Sequence, residues 1–257
     1  MIYVKISGGA SGSPRPTAGK FMKEILNWFA YQFNITFVVN NRYRLFLEGF
    51  RNTLIIAAGA AVIGVFIGAV VAMIRVYHAQ TGNMKVADGI CSVYLAIFRG
   101  TPIVVQLLIM YYIIFVSVTN ALIVAVISFG INSGAYVAEI IRAGIMSVDI
   151  GQTEAGRSLG LPALKTLTLI VMPQAVKNIL PALGNEFIAL LKETSVAGYV
   201  AIRDLTRAGE NVRTVTAEPY FSLLFVALVY FLLVFGFSKL LKILERRLAK
   251  SDRSNKG

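Results

Sequence analysis

Between Arg51 and Arg75 the chain carries no charged residue, only a run dominated by Ile, Val, Ala and Gly. The run exceeds the roughly 20 residues that a helix needs to cross the hydrocarbon core of a bilayer. Within lipid every backbone N–H and C=O must be satisfied inside the protein, which makes the helix the natural spanning unit for such a run. The pattern recurs four times. A second apolar stretch opens after Asp88 and is interrupted at Arg99, and a third runs from Gly100 to Ala138. The fourth, Asn178 to Ile202, holds Glu186, Lys192 and Glu193, and the fifth runs from Pro219 to Ser238. The third is too long for one ordinary span, and Ser117-Val118-Thr119-Asn120 offers a place to turn. The expectation is an all-α integral membrane protein with five transmembrane helices. The second forms near residues 86–117 and is broken in its middle.

Composition agrees. The chain is 56% hydrophobic and 15% charged, against about 25% charged for an ordinary soluble domain. One soluble core of this size cannot hide so much apolar surface. The formal charge of +12 could in isolation suggest nucleic acid. Here the basic residues sit between and after the apolar runs, which suits lipid headgroups and topology, so no nucleic-acid partner is expected. Cys91 and His78 stand alone, too few for a disulfide, a structural zinc site or a Ser/His/Asp hydrolase. Cys91 reads as a small apolar residue and His78 as an interfacial one.

Residues 1–21 read as a disordered polar tail without the apolar centre of a signal peptide, with Met22 as an alternative start. Segment 22–46 mixes Trp28, Phe29, Tyr31, Phe33 and Tyr43 with polar groups and reads as an interfacial helix. Residues 47–245 form the transmembrane domain and 246–257 a basic tail. That tail, with Lys239 and Lys242 before it, is expected in the cytoplasm by the positive-inside rule. Five spans then place the N-terminus outside. The loop carrying Arg142, Arg157, Lys165 and Lys177 falls inside.

That loop is the most informative segment. It reads as two short amphipathic helices. The first covers 152–159 and is closed by Gly160 in a left-handed conformation. The second covers about 162–172, opens at Pro162, and has Leu164, Leu167, Leu169 and Ile170 at its apolar positions. A two-helix elbow between spans suits docking on a partner protein. Its residues resemble the coupling loop of permease subunits in ATP-binding-cassette importers, written E-A-A, three residues, G, nine residues, I-x-L-P. The chain has Glu154-Ala155-Gly156, then Gly160, then Ile170-Val171-Met172-Pro173, with every spacing kept. Gly156 and Met172 depart from the pattern by small or volume-conserving exchanges.

Phe98-Arg99-Gly100-Thr101-Pro102, Ser133 to Ile140, and Leu183 to Ser195 resemble the polar amino acid branch, which serves histidine, arginine, glutamine, glutamate, cystine and opines. The resemblance covers about 45–245. It implies a separate ATPase docked on the elbow, a second permease subunit, identical or not, and an extracellular or periplasmic amino-acid-binding protein. ATP and Mg would belong to the ATPase. This chain has no G-x-x-x-x-G-K-[ST] and is expected to bind no cofactor.

Charges within a membrane helix usually face a cavity or a partner. Glu139 shares a stripe with Ser128, Asn132 and Tyr136, which could line a pathway, or Glu139 could pair with Arg142. Asn185, Glu186, Ala189, Lys192 and Glu193 form a second stripe. Glu186 or Glu193 could accept an ammonium and Lys192 could receive a carboxylate, or these charges could pair across a subunit interface. At the break, Thr101 suits an N-cap and Pro102 a first helical position, which would aim a positive helix end, with Arg99, at a substrate carboxylate. The bland alternative is a kink with Arg99 reaching the interface. The rival function is an ion-coupled secondary transporter or channel subunit, which leaves the elbow unexplained. A membrane anchor leaves the polar stripes unexplained.

Overall fold

The computed structural model describes residues 18–254, and every regular element among them is helical. Residues to Tyr43 and residues from Arg44 form separate compact units. In the first, α1 spans Ala18–Phe33 and is followed by a π-helical turn, Asn34–Val38, and a 3-10 turn, Val39–Asn41. The single helix expected over 22–46 is therefore broken. Asn40 and Asn41 adopt φ of 54° and 53°, a region that asparagine enters more readily than most residues, and Arg42 donates back to the carbonyl of Ile35. Of the tail expected over 1–21, residues 1–17 lie outside the described residues and Ala18 already begins α1.

The second unit comprises α2 (Tyr43–Thr81) from Arg44 onward, α3 (Lys85–Gly100), α4 (Ile103–Ile109), α5 (Ala121–Met146), α6 (Ile150–Ser158), α7 (Ala163–Thr166), α8 (Met172–Glu193), α9 (Leu205–Thr216) and α10 (Pro219–Ser254). A π-helical turn, Met110–Ile114, extends α4, and another, Leu167–Val171, joins α7 to α8. Among the described residues, four stretches are long and apolar enough to cross a membrane: Tyr43–Thr81, Ala121–Met146, Ala163–Val200 and Tyr220–Leu248. The fifth crossing is the pair Lys85–Gly100 and Ile103–Ile114, bent by 110°.

Packing against α5 establishes that the bent pair crosses. Gly64-x-x-x-Gly68 on α2 meets Gly130-x-x-x-Gly134 on α5. A Cβ at Gly64 would lie 3.0 Å from Ser133 Cβ, and one at Gly68 would lie 2.5 Å from Val137 Cγ1. On α5, a Cβ at Gly130 would meet Ile63 at 2.7 Å and one at Gly134 would meet Ile67 at 2.9 Å. Small residues on both helices let the backbones approach closely where no hydrophobic effect drives association in lipid. The contacts advance together along both chains, so α2 and α5 are parallel, and the segment between them must return across the membrane. The α8 helix runs antiparallel to α5, with Ile179 against Gly144 and Glu186 bonded to Ser133. The α10 helix runs antiparallel to α8, with Leu241 against Gly184 and Phe237 against Phe187. The C-terminal end of α10 thus lies on the same face as α6, and residues 194–216 lie on the opposite face.

Two apolar clusters sit at the two depths. Ile56, Leu107, Phe129 and Leu190 pack on the face away from α6, and Val76, Ile141, Leu167 and Ile179 pack nearer to it. Cys91 is buried with Leu95 and Ala138, as a small apolar residue would be. The basic segment expected as a tail from 246 continues α10 to Ser254, and residues 255–257 lie outside the described residues.

The glycine seam gives a direct test. Gly68→Leu would drive a side chain into Val137 and the Ala138 backbone, an overpacking cost of about 1–3 kcal/mol or more. It should lower the thermal midpoint of the detergent-purified chain. Gly236→Ala, whose Cβ meets nothing within 4 Å, should leave that midpoint unchanged or raised.

Candidate functional site

The break in the second span is held by two amides. Beyond Gly100 the chain is extended at Thr101 (φ −125°, ψ 148°), and α4 starts after Pro102. Thr101 does not cap α4 as expected. Its hydroxyl donates to Ile97 O at 2.8 Å and so serves the end of α3, while Pro102 occupies the cap position without a side-chain bond. The exposed carbonyls are instead met by Gln106, whose Nε2 donates to Phe98 O and Thr101 O, each at 3.0 Å. Asn132 on α5 donates to Phe98 O at 3.1 Å and to Gln106 Oε1 at 2.8 Å. Both amides are buried. Asn132 is thus committed to the break, and Ser128 is buried with its hydroxyl on Val124 O. The α5 stripe is open only from Tyr136 onward. Gln106 was not singled out from the sequence. A lone amide in the apolar run Ile103–Ile114 was the available signal, since a polar group at membrane depth needs a partner.

Below the break lies a network of charges. Glu139 Oε1 accepts from Arg75 Nη1 and Arg142 Nε, each at 3.3 Å. Its Oε2 accepts from Arg142 Nη2 at 2.9 Å and lies 3.7 Å from Arg99 Nη1. Arg75 also donates from Nε to Asp88 at 3.3 Å. One carboxylate therefore gathers arginines from α2, α3 and α5, and the expected pair with Arg142 is only part of the arrangement. Arg99 is the loosest member. Its side chain is 44% exposed, and its guanidinium stands 5.9 Å from the centre of the Tyr136 ring, a cation–π distance. The structure thus brings Arg99, Tyr136 and Glu139 together.

On α8, Glu186 is half-buried and accepts from Ser133 Oγ at 2.9 Å, which ties it to α5. Lys192 is exposed and Glu193 is half-buried. Among the described residues neither makes an ion pair or a side-chain hydrogen bond. Just beyond α8, on the face away from α6, Asp204 caps α9 by accepting from the backbone N–H groups of Thr206 and Arg207. Burial pushes its carboxyl up from the ordinary range, while those two N–H groups pull the other way. Asn52 on α2 holds Arg203 O at 2.9 Å and Thr53 accepts from Leu205 N at 3.2 Å, so this turn is pinned to the first span.

The elbow is folded on Gly156. Asp149 caps α6 by accepting from Gly151 N at 2.7 Å, and Gly160 closes it at φ 82°, the left-handed conformation expected of it. A Cβ at Gly156 would lie 2.7 Å from Thr166 and 2.8 Å from Ile170. The two limbs therefore touch there, and the motif's second alanine would crowd the contact. The second limb is not the separate helix expected over 162–172. It joins α8 through the π-helical turn before Pro173, which accommodates a residue lacking an N–H. Glu154, Ala155 and Pro173 are exposed, and Ile150 at the start of α6 and Leu159 just past its end are 75% and 81% exposed.

Among the described residues, five crossings, one broken by a buried polar latch, and a projecting elbow define a helical integral membrane protein. Residues 64–250 match the family described as binding-protein-dependent transport system inner membrane component. The chain belongs to that family. It is 38% identical over 206 residues to a putative glutamine transport system permease protein of Rickettsia typhi, covering 79% of this chain and 92% of that one. It is 35% identical to the arginine transport system permease protein ArtQ of Bacillus subtilis, covering 80% and 93%. The crystal structure of an amino acid ABC transporter with histidines matches with a TM-score of 0.75 at 40% identity, over 81% of this chain and 96% of that chain. The methionine ABC transporter MetNI, at 20% identity and a TM-score of 0.69, shares the fold.

The latch predicts a coupled loss. Gln106→Leu strands carbonyls at the break, at about 1–3 kcal/mol for each buried group left unpaired. Asn132→Leu should cost a similar amount, and the double variant should cost clearly less than the two separate losses added. A double-mutant cycle on thermal or denaturant unfolding reads the difference.

Proposed function

We propose that this chain is the membrane subunit of an ATP-driven importer for a polar amino acid, forming the path and receiving the stroke of a separate ATPase through its elbow. The observation that carries the reading is the elbow itself: an exposed Glu154 on a helix that opens at a bared Ile150 and closes at a bared Leu159, on two limbs locked at Gly156 and Ile170. Relatives named for glutamine and arginine transport support a polar amino acid as cargo. In this reading the elbow face is cytoplasmic, ATP and Mg are held by the partner ATPase, and a second permease subunit completes the path. The amino-acid-binding protein docks on the opposite face.

The cargo is zwitterionic, so it needs a donor for its carboxylate and an acceptor for its ammonium. Arg99 is the best-placed donor, because it is the most exposed guanidinium of the Glu139 network and makes the longest ion pair there. Tyr136 and Thr101 flank it. Glu186 and Glu193 supply acceptors, and Lys192 supplies a second donor along the same route. Glu139 keeps the surrounding arginines in place.

Two outcomes follow. Glu154→Lys should abolish co-purification with the ATPase and remove transport-stimulated ATP hydrolysis while the chain still reaches the membrane; undiminished co-purification would refute the coupling role. Arg99→Ala should raise the apparent KM for amino acid uptake about tenfold or more, the scale for losing one charge-assisted contact. An unchanged KM would remove Arg99 from the path.

A further inference from the structure

A cavity of about 800 Å³ lies beneath the elbow. Its walls come from the last turns of α2, the first turn of α3, the end of α5, and the elbow limbs. All of these are helix ends on the α6 face, so the cavity sits at the level where hydrocarbon gives way to headgroups. Arg75, Arg142 and Arg157 line it with one acid, Asp88, and Glu139, outside the lining, pairs with Arg75 and Arg142. The lining also has apolar side chains, among them Val76, Ile145 and Leu167.

Donors remain unused. Arg75 spends Nε on Asp88 and Nη1 on Glu139, leaving Nη2. Arg157 gives Nη1 to Leu161 O and, among the described residues, pairs with no acid, leaving Nε and Nη2. His78 spends its Nδ1–H on Asn83 O at 2.6 Å, so the unused donors are those of the arginines. Guanidinium forks match phosphate oxygens, and a cationic pocket between helices at the headgroup level suits an anionic lipid.

We propose that this cavity binds the phosphate headgroup of an anionic phospholipid, with Arg157 and Arg75 on the phosphate and Ile145 and Leu167 against the glycerol and upper acyl chain. The apolar lining sets a lipid apart from a soluble phosphate, which has nothing to place there. Because α6 and α7 form part of the enclosure, an occupied cavity ties the elbow to the ends of α2 and α5. The inference stands on the cavity and its charges and does not rest on the import reading.

Native mass spectrometry of the full chain in detergent, titrated with phosphatidylglycerol, phosphatidylcholine or inorganic phosphate, tests it. Phosphatidylglycerol should be retained in preference to phosphatidylcholine. Arg157→Gln should weaken its Kd about fivefold, the scale for one basic residue at an anionic headgroup, and Arg157→Lys should recover part of that loss. Thr153→Glu, which adds a like charge to the lining, should expel the lipid independently, and Lys239→Gln, outside the cavity, should change nothing. Equal retention of phosphatidylglycerol by wild type, Arg157→Gln and Thr153→Glu would overturn the proposal. So would displacement of the lipid by an equal concentration of inorganic phosphate, which would make this a soluble-anion site.

Discussion

A helix broken inside a bilayer exposes carbonyls that lipid cannot satisfy, and the second span here is broken at Gly100–Pro102. The hydrogen bonds of Gln106 and Asn132 make that break tolerable, and much else follows from them. They fix α4 to α5, keep the backbone extended at Thr101, and leave Arg99 at the rim beside Tyr136. Without the latch the positions of the break and of the Glu139 network would both be unsupported.

Around this latch the chain uses two kinds of packing. Near the membrane centre, paired G-x-x-x-G motifs bring α2 and α5 into backbone contact, which sets them parallel and forces the broken span to cross. Toward the elbow, arginines from three helices converge on Glu139. That network is partly exposed, and exposed ion pairs contribute little stability. Its value here is geometric: it holds several guanidinium groups in one place while Arg99 stays accessible. The elbow then projects from a well-packed base, since Thr166, Leu167 and Val171 are buried while the outer face of α6 is bared.

The spans were legible because charge-free runs have few alternatives, and the first elbow helix was legible because Gly160 and Pro162 punctuate it. Other features escape pattern reading for physical reasons. Thr101 looked like a cap for the helix that follows, but its hydroxyl found the nearer carbonyl of the helix that precedes. Pro173 looked like a boundary, yet a π-helical turn absorbed its missing N–H and let the elbow flow into α8. Gln106 and the two G-x-x-x-G motifs were readable and carried packing information that hydropathy alone does not weigh. Which polar residues of α5 face open space was beyond pattern reading. Asn132 and Tyr136 share a stripe, but only the position of the break decides that one is buried and the other open.

In the proposed function the chain forms a path driven by ATP through its elbow. Proteoliposomes holding this chain with its ATPase and its binding protein, loaded with ATP and supplied with labelled glutamine or arginine, test it most directly. Accumulation should require ATP and persist when ion gradients are collapsed. Accumulation without ATP that disappears with the ion gradient would contradict it.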